Sequence, residues 1–154
     1  MKNTNKIEET KRRNHALRNE QACYYLHESG GFPDWVITTA FYSALQFVKY
    51  KIFPLKIGEN TFNNLNEYRD YMVTNYDNHG ISAHSILKKL LNKNFKNIAA
   101  PYNELYDACQ NARYVEYEVT KEEVDLALKN LAEIKKFCNT NKPSQNKVSS
   151  KTKK

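Results

Sequence analysis

Residues 33–53 read PDWVITTAFYSALQFVKYKIF, and the fold follows from the spacing of their apolar positions. Ile37, Phe41, Ala44, Val48 and Ile52 recur every three or four residues, which is one stripe of an α-helix. Pro33 suits a first helical turn, where its missing N–H costs no hydrogen bond. Trp35, Ala40, Leu45 and Phe47 widen the stripe almost around the circumference, the pattern of a helix packed on several sides. This stretch is therefore the expected central helix of a bundle. That breadth of apolar surface also suggests a homodimer formed through Trp35–Phe53. Thr38, Thr39, Ser43, Gln46, Lys49 and Lys51 interrupt the run of roughly 20 apolar residues that a membrane span needs, so no membrane association is expected.

Upstream, a first helix is expected from about Arg12 to Ser29, with Ala22 and Leu26 on its inner side and Gly30-Gly31 as its stop. Downstream, Pro54 and Gly58 break the pattern, and Phe62, Leu65, Tyr68 and Met72 suggest a short helix. Ser82 is placed to cap a helix running to Leu91, whose Ala83, Leu87, Leu90 and Leu91 share a face. From Ile98, the positions Ile98, Tyr102, Leu105, Cys109 and Ala112 step by four, three, four and three. Thr120 followed by Glu123 is a capping box, opening a last helix with Val124, Ala127, Leu128, Leu131 and Cys138 inward. No alternating run competes with these. The fold class is all-α, an up-and-down bundle of four long helices plus one or two short ones.

The chain has 154 residues, room for one domain. Its formal charge of +7 divides unevenly. Residues 1–13 carry +3 and residues 142–154 carry +5, which leaves 14 basic against 15 acidic side chains between Asn14 and Asn141, a net of −1. A basic face that displaces counterions from phosphates is thus expected only from the tails. After Cys138 the only apolar side chain is Val148, too little buried surface to offset ordering entropy. The expected limits are a basic flexible tail over 1–11, a helical domain over 12–139 and a disordered Lys-rich tail over 140–154. Cys23, Cys109 and Cys138 form no CxxC and lie on apolar helix sides, as reduced core thiols do. With no signal-like apolar run near Met1, the expected location is the cytoplasm.

Motifs of known chemistry are few. None of the four Gly falls in a phosphate-loop pattern, and no HExxH, CxxC or GxSxG occurs. His79 and His84 sit five apart, about 140° around a helix, which is poor spacing for a metal pair; no metal and no cofactor are expected. The richest group is Tyr106, Gln110, Arg113 and Tyr117, stepping by four, three and four beside the apolar stripe, with Glu116 at the same end. Arg holds phosphates or carboxylates in forked pairs, and Tyr stacks on bases or donates to phosphates. The plainer alternative is Arg113 paired with Glu116 or another carboxylate while the rings pack on the last helix. The candidate binding set for RNA or a partner is Tyr106, Gln110, Arg113, Glu116 and Tyr117, and the catalytic candidates are Arg113, Tyr117, His79 and His84.

From Asn14 to Phe137 the chain resembles the HEPN superfamily, small helical bundles named for higher eukaryotes and prokaryotes nucleotide-binding. The resemblance is carried by the first helix ending at Gly30-Gly31 and by WVITTAFYSALQFVKYKIF, whose Tyr42-Ser43-Ala44 is similar to a Tyr-Tyr-Ala segment of bacterial members. His79 or His84 then opens a helix, and YNELYDACQNARYVEYEVTKEEVDLALKNLAEI completes the order. The resemblance implies a dimerising bundle that acts in RNA cleavage, toxin–antitoxin pairs or antiviral defence. Catalytic members carry an Arg, four to six intervening residues and a His. Here Arg113 is present, but Tyr114–Lys121 contains no His. The resemblance therefore implies a non-catalytic or conditionally active partner in an RNA-linked toxin–antitoxin or defence module. The alternatives are an active metal-independent ribonuclease and an interaction bundle that recruits a nucleotidyltransferase.

Overall fold

In the computed structural model, which describes residues 2–76, 80–115, 118–140 and 147–148, the chain is mostly helical. The elements run α1 (Lys2–Glu28), α2 (Pro33–Ile52), β1 (Leu55–Ile57), β2 (Asn60–Phe62), α3 (Leu65–Tyr76), α4 (Ala83–Asn94), α5 (Lys96–Tyr114), α6 (Lys121–Asn139) and β3 (Lys147–Val148). His79, Glu116, Tyr117 and most of the Lys-rich tail lie outside the described residues. Among the described residues no helix is long and apolar enough to cross a membrane.

Helix α2 is central, packing against α1, α5 and α6. Its stripe of Ile37, Phe41, Ala44, Val48 and Ile52 is buried, as are Ala40, Leu45 and Phe47. The helix also buries polar groups, each of which finds a partner, as groups cut off from water must. Ser43 Oγ donates to the Ala16 carbonyl at 2.8 Å, and Thr38 Oγ1 to the Asp34 carbonyl at 2.8 Å. Lys51, 3% exposed, sends its ammonium to the Thr140 carbonyl at 2.7 Å and lies 5.4 Å from the Phe137 ring centroid. A cation placed there complements the partial negative charge where α6 ends. It also ties the C-terminal end of α2 to that of α6.

Two contacts fix the sense of α1 against α2: Ser43 bonds Ala16, and the Cys23 thiol donates to the Val36 carbonyl at 3.4 Å. Higher numbers on one helix meet lower numbers on the other, so the pair is antiparallel. The same reasoning applies to α5, where Cys109 lies beside Thr38 and the Tyr102 and Tyr106 rings lie against Phe41. The expected stripe of α5 is buried throughout, from Ile98 to Ala112. The capping box of α6 is complete: the Glu123 amide donates to Thr120 Oγ1 at 3.2 Å, and the Thr120 amide to Glu123 Oε2 at 2.7 Å. Ser82 Oγ accepts from the Ser85 amide at 3.1 Å and caps α4.

Four details differ from the sequence reading. Helix α1 begins at Lys2 instead of Arg12. No Gly or Pro interrupts residues 2–11, and a helix nucleated by its packed half propagates outward at little cost. Second, the inner line of α1 runs through Ala16, Glu20 and Cys23, all buried, whereas Ala22 is exposed. Glu20 is accommodated there because Lys135 of α6 donates to both of its carboxylate oxygens at 2.8 Å. Third, Trp35 is 53% exposed, on the side of α2 that its three neighbours leave open. The apolar breadth that suggested a homodimer is otherwise covered within the chain. Fourth, residues 55–62 form an antiparallel hairpin, Leu55 opposite Phe62, and β3 joins the other edge of β1 in parallel. Gly58, at φ 59°, makes the two-residue turn, where such hairpins need a positive φ. Helix α3 then starts at Leu65, not Phe62.

Candidate functional site

The candidate residues gather where α2, α4 and α5 meet. Ser82 starts α4, so His84 falls in its first turn and its ring turns toward α2 and α5. The ring centroid is 5.8 Å from that of Phe41 and 5.7 Å from that of Tyr106. His84 Nδ1 is enclosed and has no hydrogen-bond partner among the described residues. Burial, together with the nearby Lys49 ammonium, holds the imidazole below its ordinary pKa of 6.5, because both disfavour the added positive charge. His84 is therefore neutral at physiological pH.

One turn after His84, Lys88 places its ammonium 4.5 Å from the Tyr106 ring centroid and 2.9 Å from Asp107 Oδ1. Tyr106 is thus half-buried and held on two sides. Beneath it, Tyr102 is fully enclosed and packs on Phe41 at 5.9 Å. Gln110, the next position of the expected stripe, is half-buried.

Arg113 belongs to the opposite end of this array. Its Nη1 donates to the Tyr42 hydroxyl at 2.9 Å. Its guanidinium carbon is 4.9 Å from the Tyr114 ring centroid and 6.0 Å from that of Tyr42. No carboxylate pairs with it among the described residues, although both Arg113 and Tyr42 are exposed. The phenol accepts from Arg113 and keeps its own O–H to donate, so the pair presents donors from two side chains to one incoming acceptor.

A continuous line of rings joins the two ends: Tyr106, His84, Phe41 and Tyr42, with Phe41 and Tyr42 5.4 Å apart. Arg113 lies seven residues past Tyr106, about 10 Å farther along α5 at helical rise. His84 packs on Phe41 and Tyr106, and Arg113 on Tyr42 and Tyr114. His79, Glu116 and Tyr117 lie outside the described residues, so the expected stripe is placed at Tyr106, Gln110 and Arg113 only.

Sequence reasoning singled out Arg113 and His84 but not the residues that hold them. Tyr42 stands 71 positions before Arg113, and only the fold brings them together. Lys88, four residues after His84, was legible as a neighbour on one helix face. A cleft of about 490 Å³ is lined in part by Arg12, Gln46, Lys49, Asn63 and Glu67. None of the sequence candidates lines it. Its charges are mixed: Glu8, Glu9 and Glu67 accompany Arg12 and Lys49. Among the described residues no group of His, Cys, Asp and Glu is arranged to hold a metal ion. No protein-family model, no curated protein and no solved structure matches this chain.

Proposed function

We propose that the chain is a HEPN-like up-and-down bundle, built on α1, α2, α5 and α6, that serves as a non-catalytic partner in an RNA-linked toxin–antitoxin or defence module. Support for the architecture comes from the antiparallel contacts of α2 with α1 and α5, and from the order of the long helices along the chain. The observation that carries the non-catalytic reading is the position of Arg113. In-line attack by a ribose 2′-hydroxyl needs a group that takes its proton and one that stabilises the charged phosphorane. Arg113 is suited to the second task alone, and its guanidinium is engaged by the Tyr42 hydroxyl at 2.9 Å. His84 is neutral, as a proton acceptor must be, but its ring is packed between Phe41 and Tyr106. A missing acceptor costs about 10² to 10⁴ in rate.

The test is incubation of the purified protein with single-stranded RNA in the presence of a metal chelator. The expected result is intact RNA, with the Arg113→Ala variant still folded by circular dichroism. Cleavage by the wild type that disappears in both Arg113→Ala and His84→Ala would overturn the proposal in favour of a metal-independent ribonuclease.

A further inference from the structure

Exposed aromatic side chains are concentrated at one end of the molecule. Helix α1 finishes there, α2 begins there, and the antiparallel α5 ends beside the start of α2, leading directly into α6. Tyr25, Phe32, Trp35 and Tyr114 are 74%, 65%, 53% and 67% exposed at this end. Phe32 is conspicuous on backbone grounds as well. It adopts φ 55° and ψ 54°, a left-handed conformation that disfavours bulky residues. Neither backbone preference nor burial accounts for a Phe there, and such outliers cluster at binding sites.

The charges at this end are one-sided. Glu28, Asp34, Glu118, Glu122, Glu123 and Asp125 belong to the adjoining helix ends and links, against Arg113 and Lys121. The near-neutral total of the central region conceals this, because the compensating Lys fall toward the other end, including Lys49 and Lys51 of α2, Lys96 of α5 and Lys135 and Lys136 of α6. An acidic, aromatic surface repels a phosphate backbone and attracts cationic side chains, which lie over ring faces. The face already holds one cation in this manner, the Arg113 guanidinium against Tyr114 and Tyr42.

We infer that this end docks a basic segment of a partner polypeptide, whose Lys or Arg side chains lie over the exposed rings and between the carboxylates. Charge favours a basic segment over a second copy of the chain, because a copy docked through this same end would set its own carboxylates against these, a juxtaposition of like charges that is unfavourable. The inference does not depend on the HEPN reading, since it rests on exposure and charge alone.

Trp35 is the only Trp in the chain and reports directly on this surface. The experiment titrates full-length protein with an Arg-Gly-Gly repeat peptide while following Trp35 emission, alongside a Glu-Gly-Gly repeat peptide and poly-uridine. The expected outcome is a saturable change with the basic peptide alone, with a Kd below about 1 mM, weakened by added salt. Replacing Glu118 and Asp125 by Gln and Asn should weaken it by roughly five-fold, since these exposed carboxylates act through charge. Tyr114→Ala should weaken it while leaving the circular dichroism spectrum unchanged. No response to the basic peptide, or an equal response to the acidic peptide or poly-uridine, would overturn the inference. So would sedimentation showing that the end is covered by self-association.

Discussion

Replacing Tyr102 by Phe should make the protein more stable. Tyr102 is 0% exposed, and its hydroxyl has no hydrogen-bond partner among the described residues. A buried hydroxyl that gave up its water without replacement costs about 1–3 kcal/mol. Deleting it forfeits the dispersion contacts of a single oxygen atom, a fraction of the roughly 0.8 kcal/mol attached to a buried methylene. The net expectation is a gain of about 1 kcal/mol, which in a chain of this size raises Tm by about 2–4 °C. Burial also drives the phenol pKa far above its ordinary value of 10. The hydroxyl is therefore never ionised between pH 6 and 9, and the gain should be the same across that interval. Urea unfolding of both proteins at the two limits measures it, with the slopes compared to confirm that the unfolding reaction is unchanged. A loss of stability of about 1 kcal/mol or more would contradict an unpartnered hydroxyl, because it would mean that the group is satisfied and Phe41 is packed against a bonded group.

The capping box and the thiols give two further expectations. Thr120→Ala removes the acceptor for the Glu123 amide and frees one side of the reciprocal pair, so urea unfolding should show a loss of about 1 kcal/mol. A change within a few tenths would mean that α6 is held by packing alone. Burial raises the pKa of Cys23 to about 11 and that of Cys138 to about 12, and shifts Cys109 upward as well. All three are enclosed, so the native protein should resist alkylation at pH 8 and lose all three thiols on unfolding. Rapid alkylation of any of them in the folded protein would contradict their placement.

The parts of the fold legible in the sequence are those where one side of a helix meets one core. Ile98 to Ala112 announces α5 because every step of three or four lands on a buried position, and Thr120 with Glu123 announces α6 through local hydrogen bonds. The hairpin at Leu55–Phe62 escaped because three-residue strands are too short for alternation to register. Trp35 misled because an aromatic residue in an apolar helix reads as core, whereas exposure depends on which neighbours stop short of it. The site was legible only as isolated side chains. Arg113 stood out by its spacing, but its partnership with Tyr42 is a product of helix packing. The segregation of acidic and basic residues was likewise hidden, because a sum over residues 14–141 discards position along the bundle axis.

The titration of the His84 ring, followed by NMR, tests most directly whether the imidazole and the Arg113 guanidinium are independent groups. Burial and Lys49 should place its pKa below 6.5. The sign of the linked stability follows: above pH 6.5 the group is neutral in both states and its contribution is complete, whereas below 6.5 the unfolded chain takes up a proton that the fold resists, so stability falls as pH drops toward the folded pKa. Lys49→Met removes a neighbouring cation and should raise the His84 pKa, while Arg113→Ala should leave it where it is. A His84 pKa that rises in Arg113→Ala as it does in Lys49→Met would contradict the account, since it would place the guanidinium and the imidazole in one site.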